Sequence, residues 1–160
     1  MTPINRTGDH GTRGTAGSYA AICALLERFP LATIQLAMRV AVGAVFFKSG
    51  LLKFNSWEFA IKLFEDEYKV PILSPWLAAV LATFNELTFS ILIIIGLATR
   101  FATLPLLGMI LVIQIFVYPQ AWPEHLLWAS VLLFLLTRGP GTLSVDHLIA
   151  RSLDQRPSSR

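Results

Sequence analysis

Four apolar runs dominate this sequence: about Leu31–Leu52, Pro75–Leu97, Phe101–Tyr118 and Trp122–Thr137. The first three reach the roughly 17–25 residues that a helix needs to cross a bilayer, and the fourth, opened by Pro123, is the shortest and the most polar at its start. Hydrocarbon offers no water to satisfy backbone N–H and C=O groups, so such runs fold as helices. The expected class is an all-α membrane protein, with four transmembrane helices in an antiparallel bundle and short interfacial helices beside it. Only 14% of the residues are charged, against about a quarter in a soluble domain. The net charge of +3 does not signal nucleic acid, because the basic residues flank the apolar runs instead of forming a patch.

The rest of the chain is organised around those runs. Residues 1–17, rich in Gly and Thr, read as a disordered tail. Residues 18–153 read as one membrane domain, and residues 154–160 as a flexible tail. Ser18 is placed to cap a short helix through Phe29, with Pro30 before the first span. Cys23, the single cysteine, rules out an internal disulfide and a CxxC pair. Ser74 and Pro75 form a cap and first turn for the second span. In the loop Asn55–Leu73, Trp57, Ile61, Phe64 and Tyr68 recur at helical spacing, which predicts an amphipathic interfacial helix able to act as a lid. With the amino terminus inside, eight arginines (6, 13, 28, 100, 138, 151, 156 and 160) fall on the inner side and Lys53, Lys62 and Lys69 on the outer. That bias predicts a plasma (inner) membrane protein with both termini cytoplasmic.

Charges within the runs are the informative exceptions. A guanidinium such as that of Arg39 costs roughly 2.5–3.5 kcal/mol near mid-membrane on insertion scales, so it needs a partner. Measured from Pro30, Arg39 lies about 13 Å into its span at 1.5 Å per residue. Measured from Pro75, Glu86 lies about 16 Å into the next, antiparallel span. On that reckoning the two charges meet at one depth and pair. Gly43, Phe46, Gly50 and Lys53 share the Arg39 face, as Ala79, Ala82, Thr83 and Ser90 share that of Glu86. These small and polar stripes let helices approach closely. Lys48 falls on the opposite face and is placed to snorkel.

The series Arg39, Gly43, Phe46, Gly50, Lys53 resembles the first helix of DoxX-family membrane proteins. "NELTFSILIIIGLATRFA" is similar to that family's embedded glutamate followed by a Gly-Leu-x-Thr-Arg turn. "RGPGTLSVD", with Gly139, Pro140, Gly141 and Asp146, is similar to its closing motif. The resemblance spans about Ala37 to Asp146. It implies a four-helix membrane bundle and an association with redox systems, since family members include the membrane part of thiosulfate:quinone oxidoreductase.

Asn85, Gln114 and His125 also face the apolar interior, so Arg39, Lys53, Asn85, Glu86, Gln114 and His125 form the candidate ligand-binding set. No Gly-rich phosphate cradle follows a strand, and no Cys/His spacing suits a metal. His125 is the only histidine within a span, which excludes bis-histidine haem ligation inside one chain. A redox role therefore means binding a lipid-soluble carrier such as a quinone, or anchoring soluble redox proteins or other membrane subunits. The expected partners are the bilayer and such subunits, with no nucleic acid, and a homo-oligomer is left open. A small transporter gated by the Arg39–Glu86 pair is the alternative from another class, and a purely structural interaction protein is the third.

Overall fold

A computed structural model describes residues 12–154, with side chains from Ser18 onward. All regular structure among the described residues is helical. The chain divides between Leu31 and Ala32 into two units, and the first contains α1, Thr12–Glu27. This helix starts ahead of the Ser18 cap expected from sequence. Gly14 and Gly17 weaken a helix by about 1 kcal/mol each without breaking it. The remaining parts of the expected tails, residues 1–11 and 155–160, lie outside the described residues.

The second unit runs through α2 (Leu31–Asn55), α3 (Trp57–Leu63), α4 (Pro75–Ile95), α5 (Thr99–Val112), α6 (Trp122–Arg138) and α7 (Val145–Asp154). α3 continues into a π-helical turn at Phe64–Tyr68, and α5 into another at Ile113–Val117. Among the described residues, three stretches are long and apolar enough to cross a membrane: Leu31–Asn55, Pro75–Ile95 and Thr99–Val117. α6 has 17 residues, about 26 Å of helix, which falls short of the others.

Local chemistry fixes the ends. Ser74 Oγ accepts the Leu77 N–H at 3.3 Å, and Pro75 occupies the first turn, as the sequence predicts. α4 stops at Gly96, whose φ of +75° suits glycine. The Leu97 N–H reaches the Leu92 carbonyl at 2.9 Å and the Gly96 N–H the Ile93 carbonyl at 3.1 Å, a Schellman closure. Pro105 falls at the seventh position of α5, inside the helix.

Packing is built from small and apolar residues on facing stripes. A Cβ at Gly50 would sit 2.9 Å from the Glu86 Cβ, and one at Gly43 would sit 3.2 Å from the Ser90 carbonyl oxygen. α2 and α4 therefore approach at both glycines, in the way small residues permit. Val42, Phe46, Ile93, Leu106, Leu132 and Leu135 form the buried core between α2, α4, α5 and α6. Ile91, Leu104, Leu111 and Leu133 are exposed on the outer faces, as lipid-facing side chains would be.

One end of this unit is closed by a polar knot. Arg39, fully buried at 0% exposure, donates from Nη2 to the Leu143 carbonyl in the loop between α6 and α7. Gln35, one turn earlier, donates to the Gly139 carbonyl at 3.1 Å. The first turn of α5 has no cap of its own. Instead Asp146, from the start of α7, accepts the Ala98 N–H at 2.7 Å and the Thr99 N–H at 3.0 Å. The Asp146 N–H in turn donates to the Gly96 carbonyl at 2.8 Å. Ser144 caps α7 by accepting the His147 N–H. Each of the three sequence motifs thus contributes to one clasp, and Arg39 lies within electrostatic reach of Asp146 there.

Gly96 touches this knot directly. A Cβ at Gly96 would strike the Arg39 guanidinium and lie 2.6 Å from the Ser144 Cβ, at a φ that disfavours any side chain. Gly96→Ala is expected to destabilise by about 2–4 kcal/mol, combining left-handed strain with overpacking. At Gly108 a Cβ meets nothing within 4 Å, so Gly108→Ala should be neutral or add up to ~1 kcal/mol of helix propensity. Thermal unfolding of the detergent-solubilised proteins, followed by fluorescence-detected gel filtration, measures the contrast.

Candidate ligand site

Glu86 is answered by Lys53, not by Arg39. Lys53 Nζ lies 2.9 Å from both Glu86 carboxylate oxygens and donates to Ser49 Oγ at 2.8 Å. Ser49 Oγ donates to Glu86 Oε1 at 3.1 Å. The side chains of Lys53 and Glu86 are 11% and 4% exposed, so the ion pair is largely buried.

The expected Arg39–Glu86 pair fails for two physical reasons. Glu86 packs opposite Gly50 and Arg39 opposite Gly96, so the charges sit eleven residues apart on α2, about 16 Å along the axis. The depth reckoning equated the ends of α2 and α4, whereas α4 begins well beyond the level at which α2 stops. Side chains also lean toward the amino terminus of their own helix. On antiparallel helices Arg39 and Glu86 therefore lean apart, while Lys53 and Glu86 lean toward each other.

The Lys53–Glu86–Ser49 cluster forms part of the wall of a cavity of about 450 Å³ bounded by α2, α4, α5, α6 and the Phe64–Tyr68 turn. Asn85 and His125 also line it. Gln114 does not line it but holds His125, its Oε1 lying 2.7 Å from His125 Nδ1. Of the six candidate residues, the cavity thus gathers Lys53, Asn85, Glu86 and His125, reaches Gln114 through His125, and leaves Arg39 in the distant clasp. Gly43 and Gly50 serve helix approach, and Gly139, Pro140, Gly141 and Asp146 belong to the loop of the clasp or its anchor.

Asn85 donates to the Pro105 carbonyl at 3.1 Å, tying α4 to the helix interrupted by proline. Its Oδ1 is buried with no partner. Phe46 and Trp128 pack edge-on at 5.7 Å and His125 sits 5.6 Å from Trp128, which gives the floor an aromatic surface. The rest of the wall is mostly aliphatic.

The loop helix closes the opposite side. Ala60 and Phe64 are buried, and Trp57, Ile61 and Tyr68 are half-buried, against Ala78, Ala79 and Ala82 of α4. The apolar stripe expected to rest on a membrane surface is thus turned onto α4, where three alanines leave room for it. Phe64 and Tyr68 reach the cavity. Tyr118 donates to the Glu67 carboxylate and meets Tyr68 edge-on at 5.7 Å, joining the lid to the end of α5. The Glu67 carboxylate, and then burial, push the Tyr118 phenol well above the usual tyrosine range. Burial pushes that of Tyr68 up as well. The latch therefore stays protonated at neutral pH, and any stability it adds is present there and is lost only as strongly alkaline pH ionises the phenols.

Sequence reasoning missed Ser49, Tyr68 and Tyr118 as parts of this site. Ser49 stands four residues before Lys53, a spacing that puts both on one helix face and was legible. Nothing in the sequence pairs Tyr118 with Glu67 across 51 positions.

Breaking a buried ion pair from one side leaves an unanswered charge, a cost of about 3–5 kcal/mol. Lys53→Met and Glu86→Gln are each expected to lower folded yield and melting temperature more than the double substitution does. A double-mutant cycle with a coupling energy of at least ~1 kcal/mol is the expected reading, and Arg39→Met should show no coupling to Glu86→Gln.

Comparison with known proteins agrees with the motifs gathered here. The chain is 29% identical over 126 residues to an uncharacterized protein of Haemophilus influenzae (strain ATCC 51907 / DSM 11121 / KW20 / Rd), covering 72% of this chain and 83% of that one. No solved structure matches the chain. The DoxX profile matches residues 34–119, more than half of the 160 residues and including Arg39, Lys53, Glu86 and the Gly96 turn. The chain is a membrane protein of the DoxX family.

Proposed function

We propose that this protein is a plasma-membrane subunit or anchor of a quinone-linked redox complex, and that the cavity under the lid holds the ring of a lipid-soluble quinone. The observation that carries this reading is a buried Lys53–Glu86–Ser49 cluster set into the wall of an otherwise apolar space. A volume of about 450 Å³ falls within the range of small-molecule sites. The aromatic floor at Phe46 and Trp128 suits a flat ring. The family resemblance supplies the redox context. Transport gated by an Arg39–Glu86 pair loses its motivating element, because those two residues do not meet.

In this reading α6 crosses as the fourth member of an antiparallel bundle, with its partners buried along Leu132 and Leu135. The arginine distribution supports a topology with both termini in the cytoplasm and the lid outside. Orientation is tested with single cysteines at Ser56 and Ser152 in a Cys23→Ala background. On intact cells a membrane-impermeant maleimide should label the Ser56→Cys protein and spare the Ser152→Cys protein, and the reverse pattern overturns the orientation.

Ligand binding is tested by purifying the protein in mild detergent and identifying extracted isoprenoid quinones by mass spectrometry. Gly108 lines the cavity and has open space before it, so Gly108→Leu should fill the site while leaving the Lys53–Glu86 pair intact. Wild type is expected to carry quinone, and the variant to fold normally and carry at least tenfold less. Stable, monodisperse wild-type protein that carries no quinone and takes up none on titration overturns the proposal.

A further inference from the structure

The polar groups on the cavity wall are not evenly supplied with free donors and acceptors. Lys53 has three N–H donors, and the structure uses them on Ser49 Oγ and the two Glu86 oxygens. The Ser49 hydroxyl donates to Glu86. The Tyr118 hydroxyl donates to Glu67. Asn85 Nδ2 donates to Pro105. The Trp128 indole nitrogen lines the cavity and meets no acceptor among the described residues.

Acceptors are in the opposite condition. Asn85 Oδ1 is buried and unpartnered, and its amide orientation is set because Nδ2 faces a carbonyl. Gln114 Nε2 donates to the Pro119 carbonyl at 2.9 Å, which fixes Gln114 Oε1 toward His125 Nδ1 at 2.7 Å. An amide oxygen can only accept, so Nδ1 carries a proton and Nε2 of the neutral imidazole is left as an acceptor. No protein group among the described residues occupies that Nε2. A carboxylate offers about four acceptor sites, and Glu86 receives three hydrogen bonds, which leaves one.

We infer that the cavity selects ligands that donate hydrogen bonds, so that a lipophilic phenol or hydroquinone binds in preference to the corresponding carbonyl-bearing quinone. His125 Nε2 is the specificity-determining acceptor, and Gln114 is the positioning residue that holds the imidazole in the required tautomer. A quinone carbonyl facing the same groups would set acceptor against acceptor and leave buried polar atoms unpaired, the arrangement that gives hydrogen-bonding sites their largest discrimination. Lys53 is then a structural cation that holds Glu86 and does not itself grip a carbonyl.

This inference rests on the quinone-site reading and is tested so that the two can fail separately. Purified wild-type protein in nanodiscs is titrated anaerobically, by calorimetry, with a decyl-substituted benzoquinol, its oxidised benzoquinone and the dimethyl ether of the quinol. The ether keeps the shape of the quinol and loses both donors. The expected result is a dissociation constant for the quinol at least tenfold below those of the quinone and the ether. Gln114→Leu, which frees the tautomer, should shrink that ratio to about threefold or less. Equal affinities, or tighter binding of the quinone, overturn the donor selection and leave a quinone site standing. Binding of none of the three overturns both the site and its selectivity. If Gln114→Leu does not fold, the wild-type ratio of quinol to ether alone decides.

Discussion

Charge in hydrocarbon must be answered within reach of its own side chain, and on antiparallel helices that reach runs in opposite directions. α2 and α4 approach at Gly43 and Gly50, closely enough that their side chains contact each other's backbone. Every side chain on α2 leans back toward Leu31, and every one on α4 toward Pro75. The cation late in α2 therefore falls onto the carboxylate of α4, and the cation early in α2 falls beyond α4 altogether. Lys53 finds Glu86, and Arg39 finds the carbonyl of Leu143. One pair sets helix register beside a cavity, and the other charge draws a distant loop over the opposite end.

This division explains what could be read before the fold was seen. Helix positions were legible because apolar runs of that length have one solution in a bilayer, and Ser74, Pro75 and Gly96 mark their ends by ordinary capping chemistry. The Arg39 stripe was legible as the face that meets α4, since its small residues recur at helical spacing. The partner of Arg39 was not. Depth counted from Pro30 and Pro75 assumes that the two helices end level, and no local pattern reports how far one overhangs the other. Asp146 was legible as a first-turn residue of α7. Its action on the N–H groups of Ala98 and Thr99 was not, because capping rules are local and this cap comes from 47 residues away.

The cavity inherits its chemistry from the same arrangement. With Arg39 withdrawn to the clasp, Lys53 is the only lysine or arginine on the wall among the described residues, and it is already satisfied by Glu86 and Ser49. The two π-helical turns, Phe64–Tyr68 and Ile113–Val117, both border the cavity, as such turns often do at functional sites. Each turns the chain at a point where a regular helix would carry its next side chains elsewhere. The first brings Tyr68 under the lid, and the second places Tyr118 against Glu67 and Gln114 against His125. Aromatic closure and imidazole orientation are thus products of backbone geometry more than of any recognisable motif.

The clasp also imposes an order on synthesis. Arg39 and its carbonyl partner Leu143 are separated by 104 positions, so at about 5–20 residues per second the guanidinium waits roughly 5–20 s for that carbonyl to be made. Throughout that interval the first span carries a cation whose native partner does not yet exist, and the amino-terminal turn of α5 stands uncapped. The nascent chain must keep the amino-terminal part of α2 near water or against the insertion machinery until the α6–α7 loop arrives. Truncation before Leu143 would remove little of the chain by length, yet it would leave Arg39 without its carbonyl and the first turn of α5 without its cap.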